Sequence, residues 1–299
     1  MSNIPDLVSA GLIQPQVALG PMTTYKIGGN AEYFATVNTR AELDRVLTAG
    51  VATPITVLGR GSNLLVATGG VAGLVLRLGG VFSEIEVRTD AVHAGAGVSL
   101  PVLARTATKE GNRGLEFFVG VPGSVGGAVR MNAGCHGIET RDVLDKALVL
   151  DAATGAAVER GATDLELSYR HSNLGVTDIV LSAVFLTTDG DVDEGEQVMR
   201  DVTAWRRKHQ PGGTHNAGSV FKNPPGDSAG RLIDSAGLKG LRVGGASVST
   251  RHANFIEASE QATPEDVYRL IEIVRTRVAD EFGVELIPEI ICIGFEEPA

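Results

Sequence analysis

The sequence predicts an α+β protein with a domain boundary near residue 200. A length of 299 residues allows one to three domains, since single domains typically span about 100 to 200 residues. Strand patterns dominate the first two hundred residues, whereas the clearest helical pattern lies in the last hundred. The charged stretch from Asp189 to Glu196 leads from one part to the other, and we place the predicted boundary just after it.

The first predicted elements are one helix and two strands around a glycine turn. In "VNTRAELDRVLTAG", Thr39 and Glu42 have the spacing of a capping box, and apolar residues recur at helical spacing. The β-branched strand "ITVLG" follows, then a loop from Arg60 to Asn63, then the strand "LLVA". The pattern is that of a strand, loop and strand unit.

The middle of the chain is predicted to be mostly β-strand. "GLVLRL", the alternating "SEIEVR", the hairpin "KALVLDAATGAAVE" and "DIVLSAVFLTT" all have strand patterns, and Thr154 and Gly155 supply the hairpin turn. One helix, "LPVLARTATKE", is predicted between Ser99 as its N-cap and Gly111 as its end.

The last segment is predicted to contain a long helix and a broken strand. Thr263 has the features of an N-cap, Pro264 occupies the first helical position, and Gly283 ends the apolar periodicity. The following "VELIPEIICIGF" is predicted as a strand interrupted by Pro288.

Composition and charge exclude several classes of function. The net charge of −10 argues against a broad basic surface for nucleic acid, so any anionic ligand needs local positive groups. No leader peptide and no run of about 18 apolar residues is evident, and we expect a soluble, non-exported, cytoplasmic protein without membrane contact. The two cysteines and six histidines lack ligand-like spacing, so neither a metal site nor a disulfide scaffold is expected.

Two glycine-rich stretches are candidates for nucleotide binding. "LGRGSNLLV" places Gly59 and Gly61 directly after a strand, where backbone amides can face a pyrophosphate. The dinucleotide fingerprint G-x-G-x-x-G fails there because Leu64 occupies the third glycine position, and no P-loop motif occurs. The second stretch, "EFFVGVPGSVGGAVRMNAG", can pass flat against a planar ligand. A nucleotide cofactor in a non-Rossmann architecture is one interpretation, and tight structural turns are the other.

Three polar residues are candidates for catalysis. Arg170 in "LSYRHSNL" can pair with a substrate carboxylate, Ser219 in "HNAGSVFKNP" lies in a turn-prone loop, and Glu289 lies where Pro288 breaks a strand. Each also has an ordinary interpretation, as a surface arginine, a loop serine or a solvated glutamate. The residues alone leave both interpretations open.

The chain closely resembles the bacterial UDP-N-acetylenolpyruvoylglucosamine reductase family, also called UDP-N-acetylmuramate dehydrogenases. The resemblance covers nearly the whole chain, and the absence of an extra segment between "YRHS" and "NAGS" is similar to the shorter subtype of that family. It rests on eight motifs in the family's order: "TTYKIGG", "LGRGSNLLV", "GVPGSVGGAVRMNAG", "YRHS", "NAGSVFKNP", "AGRLIDSAGLKG", "GGASVSTRHANFI" and "IPEI".

The resemblance implies a two-lobed FAD-binding domain of the vanillyl-alcohol-oxidase (PCMH) type, followed by a smaller α+β substrate-binding domain. We expect the first to span residues 1–200, with lobes of about 1–80 and 81–200, and the second to span residues 201–299. FAD would be held non-covalently, with its pyrophosphate on the first glycine stretch and its ring on the second. The implied cofactor contacts are Gly59, Arg60, Gly61, Ser62, Asn63, Leu64, Pro122, Gly123, Ser124, Gly126, Gly127, Ala128 and Asn132.

The resemblance also implies a reaction in peptidoglycan precursor synthesis, a part of cell-wall biogenesis, cell shape and division. NADPH would reduce FAD, and the hydride would pass to an enolpyruvyl ether of a nucleotide sugar. Arg170 would polarise the substrate carboxylate, Glu289 would hydrogen-bond to the developing charge, and Ser219 would protonate carbon. Tyr169, Lys208, Lys222 and Asn223 would bind substrate, Lys208 with help from Arg206 and Arg207, although a helix dipole also favours basic residues there.

Two alternatives and one departure accompany this resemblance. The fold could serve another flavin oxidoreductase that acts on a hydroxy acid or a sugar lactone, or a nucleotide-sugar-binding protein without catalysis. We expect a monomer. In "NAGCHG", Cys135 and His136 stand where the family has alanine and an aromatic residue, which puts the local packing or flavin environment in doubt.

Overall fold

The computed structural model describes residues 4–49 and 54–295. The helices in these ranges are α1 (Ile4–Ser9), α2 (Arg40–Thr48), α3 (Leu100–Lys109), α4 (Val125–Met131), α5 (Val192–His209), α6 (Ala229–Ser235) and α7 (Pro264–Phe282). Short 3-10 helices lie at Gly20–Met22, Gly80–Ser83, Glu116–Gly120 and Thr140–Asp142.

The strands of the same ranges are short and numerous. They are β1 (Gln14–Ala18), β2 (Asn30–Val37), β3 (Ile55–Val57), β4 (Leu64–Val66), β5 (Val71–Leu78), β6 (Ile85–Val87), β7 (Ala91–Gly95), β8 (Asn112–Arg113), β9 (Gly134–Cys135), β10 (Ile138–Glu139), β11 (Leu144–Asp151), β12 (Ala157–Gly161), β13 (Asp178–Leu186), β14 (Thr188–Asp189), β15 (Arg242–Val243), β16 (Ala246–Val248), β17 (Ile256–Ala258) and β18 (Ile291–Ile293).

The chain divides into two compact units, each built from separate stretches of sequence. The first contains Met1–Pro15, Tyr33–Arg60 and Gly73–Arg206. The second contains Gln16–Glu32, Gly61–Ala72 and Arg207–Ala299. The first unit thus ends at Arg206, and two segments from the first eighty residues, Gln16–Glu32 and Gly61–Ala72, belong to the second unit.

The first unit is organised by a five-stranded antiparallel sheet in the order β12-β11-β13-β7-β6. The predicted hairpin is its β11–β12 pair, with the turn at Thr154 and Gly155. In a second sheet, β2, β5 and β3 are neighbours in that order, and β3 and β5 are parallel. Helix α4 packs on β13 and β7, and α3, α4 and both sheets contribute to one apolar core.

The second unit has its own core around helix α7. The apolar face of α7, including Val267, Leu270 and Val274, is buried against the three-stranded sheet β15-β16-β17. Thr263 and Asp266 form the capping box of this helix, and Gly283 ends it with φ +67°. The predicted helix boundaries are confirmed here, because N-cap and C-cap chemistry are local properties of the chain.

Two other predicted caps differ in detail from the structure. Thr39 accepts a hydrogen bond from the backbone N–H of Glu42, as predicted, but the Glu42 carboxylate accepts from the N–H of Asn38 rather than that of Thr39. Ser99 occupies the N-cap position of α3 but makes no capping hydrogen bond with its side chain. Both helices form at the predicted places, since their buried apolar faces stabilise them more than one capping bond does.

Candidate active site

A cavity of about 300 Å³ opens in the first unit where the ends of several strands meet the start of α4. This volume lies at the lower end of the range for small-molecule sites. The described residues that line it are Thr36, Val57, Leu58, Gly59, Arg60, Arg77, Leu78, Gly79, Ser83, Ala96, Gly97, Ser124, Gly126, Gly127, Arg130, Asp178, Ile179 and Val180.

The two glycine-rich stretches predicted from the sequence meet at this cavity. A methyl group at Gly59 would lie 2.5 Å from Oγ of Ser124, so no side chain fits at position 59 without displacing that hydroxyl. Gly126 approaches Ala96 so closely that a methyl group would lie 3.0 Å from its Cβ. Bare backbone therefore forms the wall, as a planar or phosphate-bearing ligand requires.

Three arginines line the same cavity, Arg60, Arg77 and Arg130. The Arg130 guanidinium donates to the carbonyl oxygens of Asp178 (2.6 Å) and Gly175 (3.2 Å), which fixes it in the wall. Burial lowers the pKa of Arg130, although an arginine stays protonated at physiological pH. Glycine backbone and positive charge together fit a flavin nucleotide with its pyrophosphate.

Sequence reasoning identified part of this wall and missed the rest. Among the predicted cofactor contacts, the lining residues are Gly59, Arg60, Ser124, Gly126 and Gly127. Arg77 and Arg130 were missed, because Arg77 lies within the apolar strand β5 and because Arg130 occupies an ordinary helical position. Its place in the "GGAVRMNAG" motif was the only available signal for Arg130.

The remaining predicted cofactor contacts either lie close to lining residues in the sequence or belong to the second unit. Pro122 and Gly123 precede Ser124, and the Gly123 carbonyl accepts from the N–H of Leu100. Ala128 is buried in α4. Gly61, Ser62, Asn63 and Leu64 belong to the second unit, so the division between units falls inside the "GRGSN" loop. Gly61 has φ +61° and leaves no room for a side chain against the Met22 carbonyl.

The side chain of Asn132 is buried and makes several hydrogen bonds within the protein. Asn132 caps α4 with φ +41°, and its amide donates to Glu139 Oε2 and to the Ser168 carbonyl, both at 2.9 Å. Its Oδ1 accepts from the backbone N–H of Arg141 at 2.9 Å. A direct contact of Asn132 with the flavin remains a prediction.

Arg170 lies in a turn of the first unit, close to Asn132 and its neighbours. Its backbone has φ +53°, and its guanidinium donates to the Gly134 carbonyl at 3.3 Å. Arg170 Nη1 also lies 3.9 Å from Glu139 Oε1, and the guanidinium stands 5.1 Å from the ring centroid of Tyr169. Tyr169, predicted to bind substrate, has an exposed side chain.

Ser219 and Glu289 lie on neighbouring backbone segments of the second unit. The N–H of Glu289 donates to the Val220 carbonyl at 2.8 Å, and the N–H of Lys222 donates to the Ile287 carbonyl at 2.9 Å. Phe221 and Pro288 form an antiparallel bridge between them. Both Ser219 and Glu289 are half-buried. The structure thus brings together two residues separated by seventy positions in the sequence.

The backbone around Glu289 is also held by the loop that carries Asn63. The Asn63 side-chain amide donates to the Glu289 carbonyl at 2.9 Å, and the N–H of Ile291 donates to the Asn63 carbonyl at 3.0 Å. Parallel pairing of β18 with β4 extends this contact. The predicted cofactor residue Asn63 and the predicted catalytic residue Glu289 are therefore direct neighbours.

Asn254, which sequence reasoning did not single out, fixes the segment that carries Ser219. Its Oδ1 accepts from the Phe221 N–H at 3.0 Å, and its Nδ2 donates to the Phe221 carbonyl at 2.9 Å. The Asn254 carbonyl accepts from the N–H of Val220. The buried side chain of Asn254 thus satisfies the backbone N–H and carbonyl of Phe221, as a neighbouring strand would. Only the tertiary structure shows this pairing.

The other predicted substrate contacts of the second unit have varied environments. Lys222 is half-buried next to Phe221, and Asn223 is exposed, with its Oδ1 accepting from the Ala229 N–H at 3.0 Å at the start of α6. Lys208 is exposed, and its carbonyl accepts from Arg251 Nη2 at 2.8 Å. Arg251 also donates to the Arg207 carbonyl.

Arg206 does not share the environment of Arg207 and Lys208. Arg206 ends the first unit, whereas the next two residues belong to the second. Its side chain packs near Gly120 and Cys135, and burial lowers the pKa of its guanidinium. Of the three basic residues predicted to bind substrate at the end of α5, Arg206 is half-buried in the first unit, whereas Arg207 and Lys208 are exposed in the second.

Cys135 and His136 are the pair that we predicted to depart from the family motif. The Cys135 thiol donates to the Phe117 carbonyl at 3.1 Å, and burial raises its pKa to about 11 against the opposing charges of Arg206 and Arg170. The His136 ring meets the Trp205 ring edge to face at 4.9 Å. The unusual pair therefore packs against α5 and the 3-10 helix Glu116–Gly120.

The described part of the chain holds neither a metal-binding cluster nor a membrane-spanning helix. Residues 4–49 and 54–295 contain no group of three or more His, Cys, Asp or Glu side chains that could hold a metal ion. Within those ranges, every helix is too short or too polar to cross a membrane.

Comparisons with known proteins place this architecture in a family. A profile described as an FAD binding domain matches residues 31–161, and one described as the C-terminal domain of UDP-N-acetylenolpyruvoylglucosamine reductase matches residues 210–293. A reductase of that name from Acidiphilium cryptum is 43% identical over 285 residues, which cover 95% of this chain and 92% of the relative.

Two more relatives agree with that match. UDP-N-acetylenolpyruvoylglucosamine reductase 2 of Symbiobacterium thermophilum is 45% identical over 283 residues, covering 94% of this chain and 92% of the relative. The crystal structure of UDP-N-acetylenolpyruvylglucosamine reductase from Thermus caldophilus superimposes with a TM-score of 0.83 at 40% identity, covering 94% of this chain and 98% of that one.

These matches confirm the predicted fold class, an FAD-binding α+β domain of the vanillyl-alcohol-oxidase type with a second α+β domain after it. They also agree with a glycine-walled, arginine-lined cavity that fits FAD, the cofactor of a family that takes its electrons from NADPH. The chain is therefore a flavin-dependent oxidoreductase of peptidoglycan precursor synthesis, and it belongs to the UDP-N-acetylenolpyruvoylglucosamine reductase family.

Proposed function

We propose that this chain reduces the enolpyruvyl ether of UDP-N-acetylglucosamine enolpyruvate to the lactyl ether of UDP-N-acetylmuramate, with Arg170, Ser219 and Glu289 as its catalytic residues. NADPH supplies the hydride, which is added to the terminal carbon, and a proton is added to the neighbouring carbon that bears the carboxylate. The observation that carries the proposal is the backbone pairing that makes Ser219 and Glu289 neighbours in the second unit.

When bound, FAD would supply the chemistry of hydride transfer between NADPH and the substrate. The cavity residues Gly59, Arg60, Ser124, Gly126 and Gly127 would hold this cofactor, with Arg77 and Arg130 adding positive charge. The same role is proposed for the other members of the two glycine stretches: Gly61, Ser62, Asn63, Leu64, Pro122, Gly123, Ala128 and Asn132.

Arg170 would bind the substrate carboxylate through its guanidinium. A guanidinium presents parallel N–H donors that match the two carboxylate oxygens, and it stays charged at physiological pH. Hydride addition places negative charge next to that carboxylate, so a fixed cation there stabilises the transition state more than the ground state.

Glu289 would donate a hydrogen bond to the developing negative charge from a protonated carboxyl group. An ionised carboxylate facing that charge alone would repel it. The backbone of Glu289 is held by the Val220 carbonyl on one side and the Asn63 amide on the other. These bonds limit the movement of the segment that carries the carboxyl group.

Ser219 would act as the general acid that delivers its Oγ proton to carbon. A serine hydroxyl is a weak acid, and positioned proton transfer typically contributes about 10²- to 10⁴-fold in rate. Lys222, three residues further along, is proposed to stabilise the resulting alkoxide and to contact substrate. Tyr169, Lys208 and Asn223 are proposed to bind the nucleotide-sugar part.

The proposal includes a monomeric enzyme that acts in the cytoplasm and binds neither nucleic acid nor membranes. A net charge of −10 supports the exclusion of nucleic acid. Both cysteines, Cys135 and Cys292, are free thiols, which is the usual state in a reducing compartment. Light scattering of the purified protein at several concentrations tests whether it is a monomer.

Anaerobic half-reactions test the proposed function. The purified protein should show flavin absorption bands that bleach with NADPH alone and return when UDP-N-acetylglucosamine enolpyruvate is added, with UDP-N-acetylmuramate as the product. Colourless protein would support a non-catalytic binding protein. Flavin that is reduced by a hydroxy acid or a sugar lactone, and does not pass electrons to the enolpyruvyl substrate, would support another flavin oxidoreductase.

A further inference from the structure

We propose that Glu139 is a positioning residue that holds the Arg170 guanidinium in the orientation needed to bind the substrate carboxylate. The inference rests on the proposed function, because Arg170 has this task only in that reaction. It starts from the backbone of Arg170, whose φ of +53° places the residue in a turn outside any strand or helix. Side-chain contacts must therefore fix the direction of the guanidinium.

The Glu139 carboxylate provides the negative charge that faces this guanidinium. Glu139 Oε1 lies 3.9 Å from Arg170 Nη1, and the two side chains are 14% and 18% exposed. That distance exceeds the length of an N–H···O hydrogen bond, so charge attraction holds the pair. Since both side chains are largely buried, solvent screens this attraction much less than it would at the surface.

The carboxylate is itself held from its other side. Glu139 Oε2 accepts from the Asn132 amide at 2.9 Å and lies 3.1 Å from Arg141 Nε. The side chain also accepts from the backbone N–H of Asp142 in a capping box, in which Asp142 Oδ2 accepts from the Glu139 N–H at 2.8 Å. Several donors thus restrict the carboxylate to one rotamer.

Asn132 connects this carboxylate to both backbone segments of the cluster. Asn132 is the C-cap residue of α4. Its amide donates to Glu139 and also to the carbonyl of Ser168, which lies two residues before Arg170. The Gly134 carbonyl accepts from Arg170 Nη2 at 3.3 Å. The cluster therefore ties the end of the second glycine stretch to the turn that carries Arg170, and Glu139 places a negative charge next to the guanidinium.

The expected consequence of losing the Glu139 charge is a misplaced Arg170. A catalytic group displaced by about 1 Å can cost up to about 10²-fold in rate. Glu139→Gln keeps the size and the acceptor oxygen for Asn132 but removes the charge. We expect the rate of substrate reduction by the reduced enzyme to fall roughly 10- to 100-fold, while the rate of flavin reduction by NADPH and the FAD content remain within twofold of wild type.

A double-mutant cycle with Arg170→Met separates positioning from a general structural role. If Glu139 acts through Arg170, Glu139→Gln should have no further effect on substrate reduction in the Arg170→Met background. Additive losses in the two backgrounds would overturn the inference, as would a wild-type rate in Glu139→Gln. The matched control is Glu159→Gln, which removes an exposed glutamate paired with Lys146 and should leave both half-reactions unchanged.

A second variant protects the test against loss of folding. Glu139→Asp keeps a good capping residue and the charge, but its carboxylate is one methylene further from Arg170. We expect at least a threefold loss in substrate reduction that is again absent in the Arg170→Met background, and an unchanged rate would contradict the inference. If wild-type protein fails to reduce the enolpyruvyl substrate, the proposed function itself fails, whereas an active wild type with indifferent variants overturns only the role of Glu139.

Discussion

At the scale of single residues, Ser219 depends on its neighbours for the geometry of its hydroxyl. Gly218 has φ +79°, and a methyl group added to it would meet no heavy atom within 4 Å, so glycine is needed there for the backbone conformation rather than for space. The Gly218 N–H donates to Asn216 Oδ1 at 3.0 Å, which closes a tight turn before Ser219. The serine is thus placed by a turn on one side and by Asn254 on the other.

Ser219→Ala should separate the two half-reactions. Flavin reduction by NADPH needs no proton from Ser219 and should stay within twofold of wild type, whereas substrate reduction should fall by about 10²- to 10⁴-fold. Stopped-flow absorbance of the flavin measures both rates. Ser259→Ala, at an exposed position of the second unit, is the matched control. An equal loss in both half-reactions would argue against Ser219 as the acid.

The two cysteine thiols should titrate well above their usual range. Burial raises the pKa of both Cys135 and Cys292 to about 11 from a reference of 9.0, and nearby Glu272 adds to the shift at Cys292. Because the unfolded chain ionises its thiols near pH 9, the stability from these buried thiols is fully present below pH 9 and is lost as pH rises through about 11.

Thiolate absorbance and urea unfolding measure this effect. We expect thiolate absorbance to rise near pH 11, and the unfolding midpoint to fall less between pH 9 and pH 11 in a variant with both cysteines changed to alanine. Part of the fall should persist in that variant, since burial also raises the pKa of Tyr25. Thiolate that appears at pH 9 in folded protein would contradict the prediction.

At the scale of elements, the cavity depends on how closely its backbone segments approach. The segment 123–126 pairs with residues 96–100, through hydrogen bonds from Leu100 N–H to the Gly123 carbonyl and from Val125 N–H to the Val98 carbonyl, both about 3 Å. Gly59, two residues after the end of β3, then approaches Ser124. A wall of this kind has room for a ligand only while its glycines are kept.

Gly59→Ala should weaken FAD binding. Its methyl group would displace the Ser124 hydroxyl, which accepts from the Gly127 N–H at 3.4 Å, and overpacking of this kind costs about 1–3 kcal/mol. We expect the dissociation constant for FAD to rise roughly tenfold, measured by quenching of flavin fluorescence on titration of apoprotein. Gly212→Ala is the control, because no heavy atom lies within 4 Å of its added methyl group. Unchanged FAD affinity in Gly59→Ala would show that Ser124 can move without cost.

Asn254→Ala should destabilise the segment that carries Ser219. The change leaves the N–H and carbonyl of buried Phe221 without their partner, which costs about 2–3 kcal/mol. Urea unfolding measures the loss of free energy. The control is Asn173→Ala, an exposed asparagine whose amide donates to the Asp164 carbonyl, and it should cost well under 1 kcal/mol. Similar losses in the two variants would argue against the bridging role of Asn254.

At the scale of the whole molecule, the protein should release its flavin on unfolding. The described residues that line the cavity include no histidine, cysteine or tyrosine that could form a covalent bond to FAD. We therefore expect acid or SDS to move the yellow colour into the supernatant, as absorbance at the flavin bands will show. Colour retained on the precipitate would direct attention to His136 and Cys135, the pair predicted to depart from the family motif.

Much of the fold could be predicted because its signals are local. The cap of α7 at Thr263, its end at Gly283 and the hairpin turn at Gly155 each depend on residues adjacent in the chain. The division into units could not be predicted, since Gln16–Glu32 and Gly61–Ala72 join the second unit through long-range pairings such as β4 with β18. No neighbouring residue signals such a partner.

The candidate site shows the same division between local and long-range information. By itself the sequence determined the family, both glycine stretches, and Arg170, Ser219 and Glu289 as the residues proposed for catalysis. Only the tertiary structure decided that Gly59 meets Ser124, that Asn254 bridges Phe221, and that Glu139 faces Arg170. The reason is physical: caps and turns are satisfied by groups a few residues away, whereas buried polar groups and charges take whichever partner the folded backbone brings within reach.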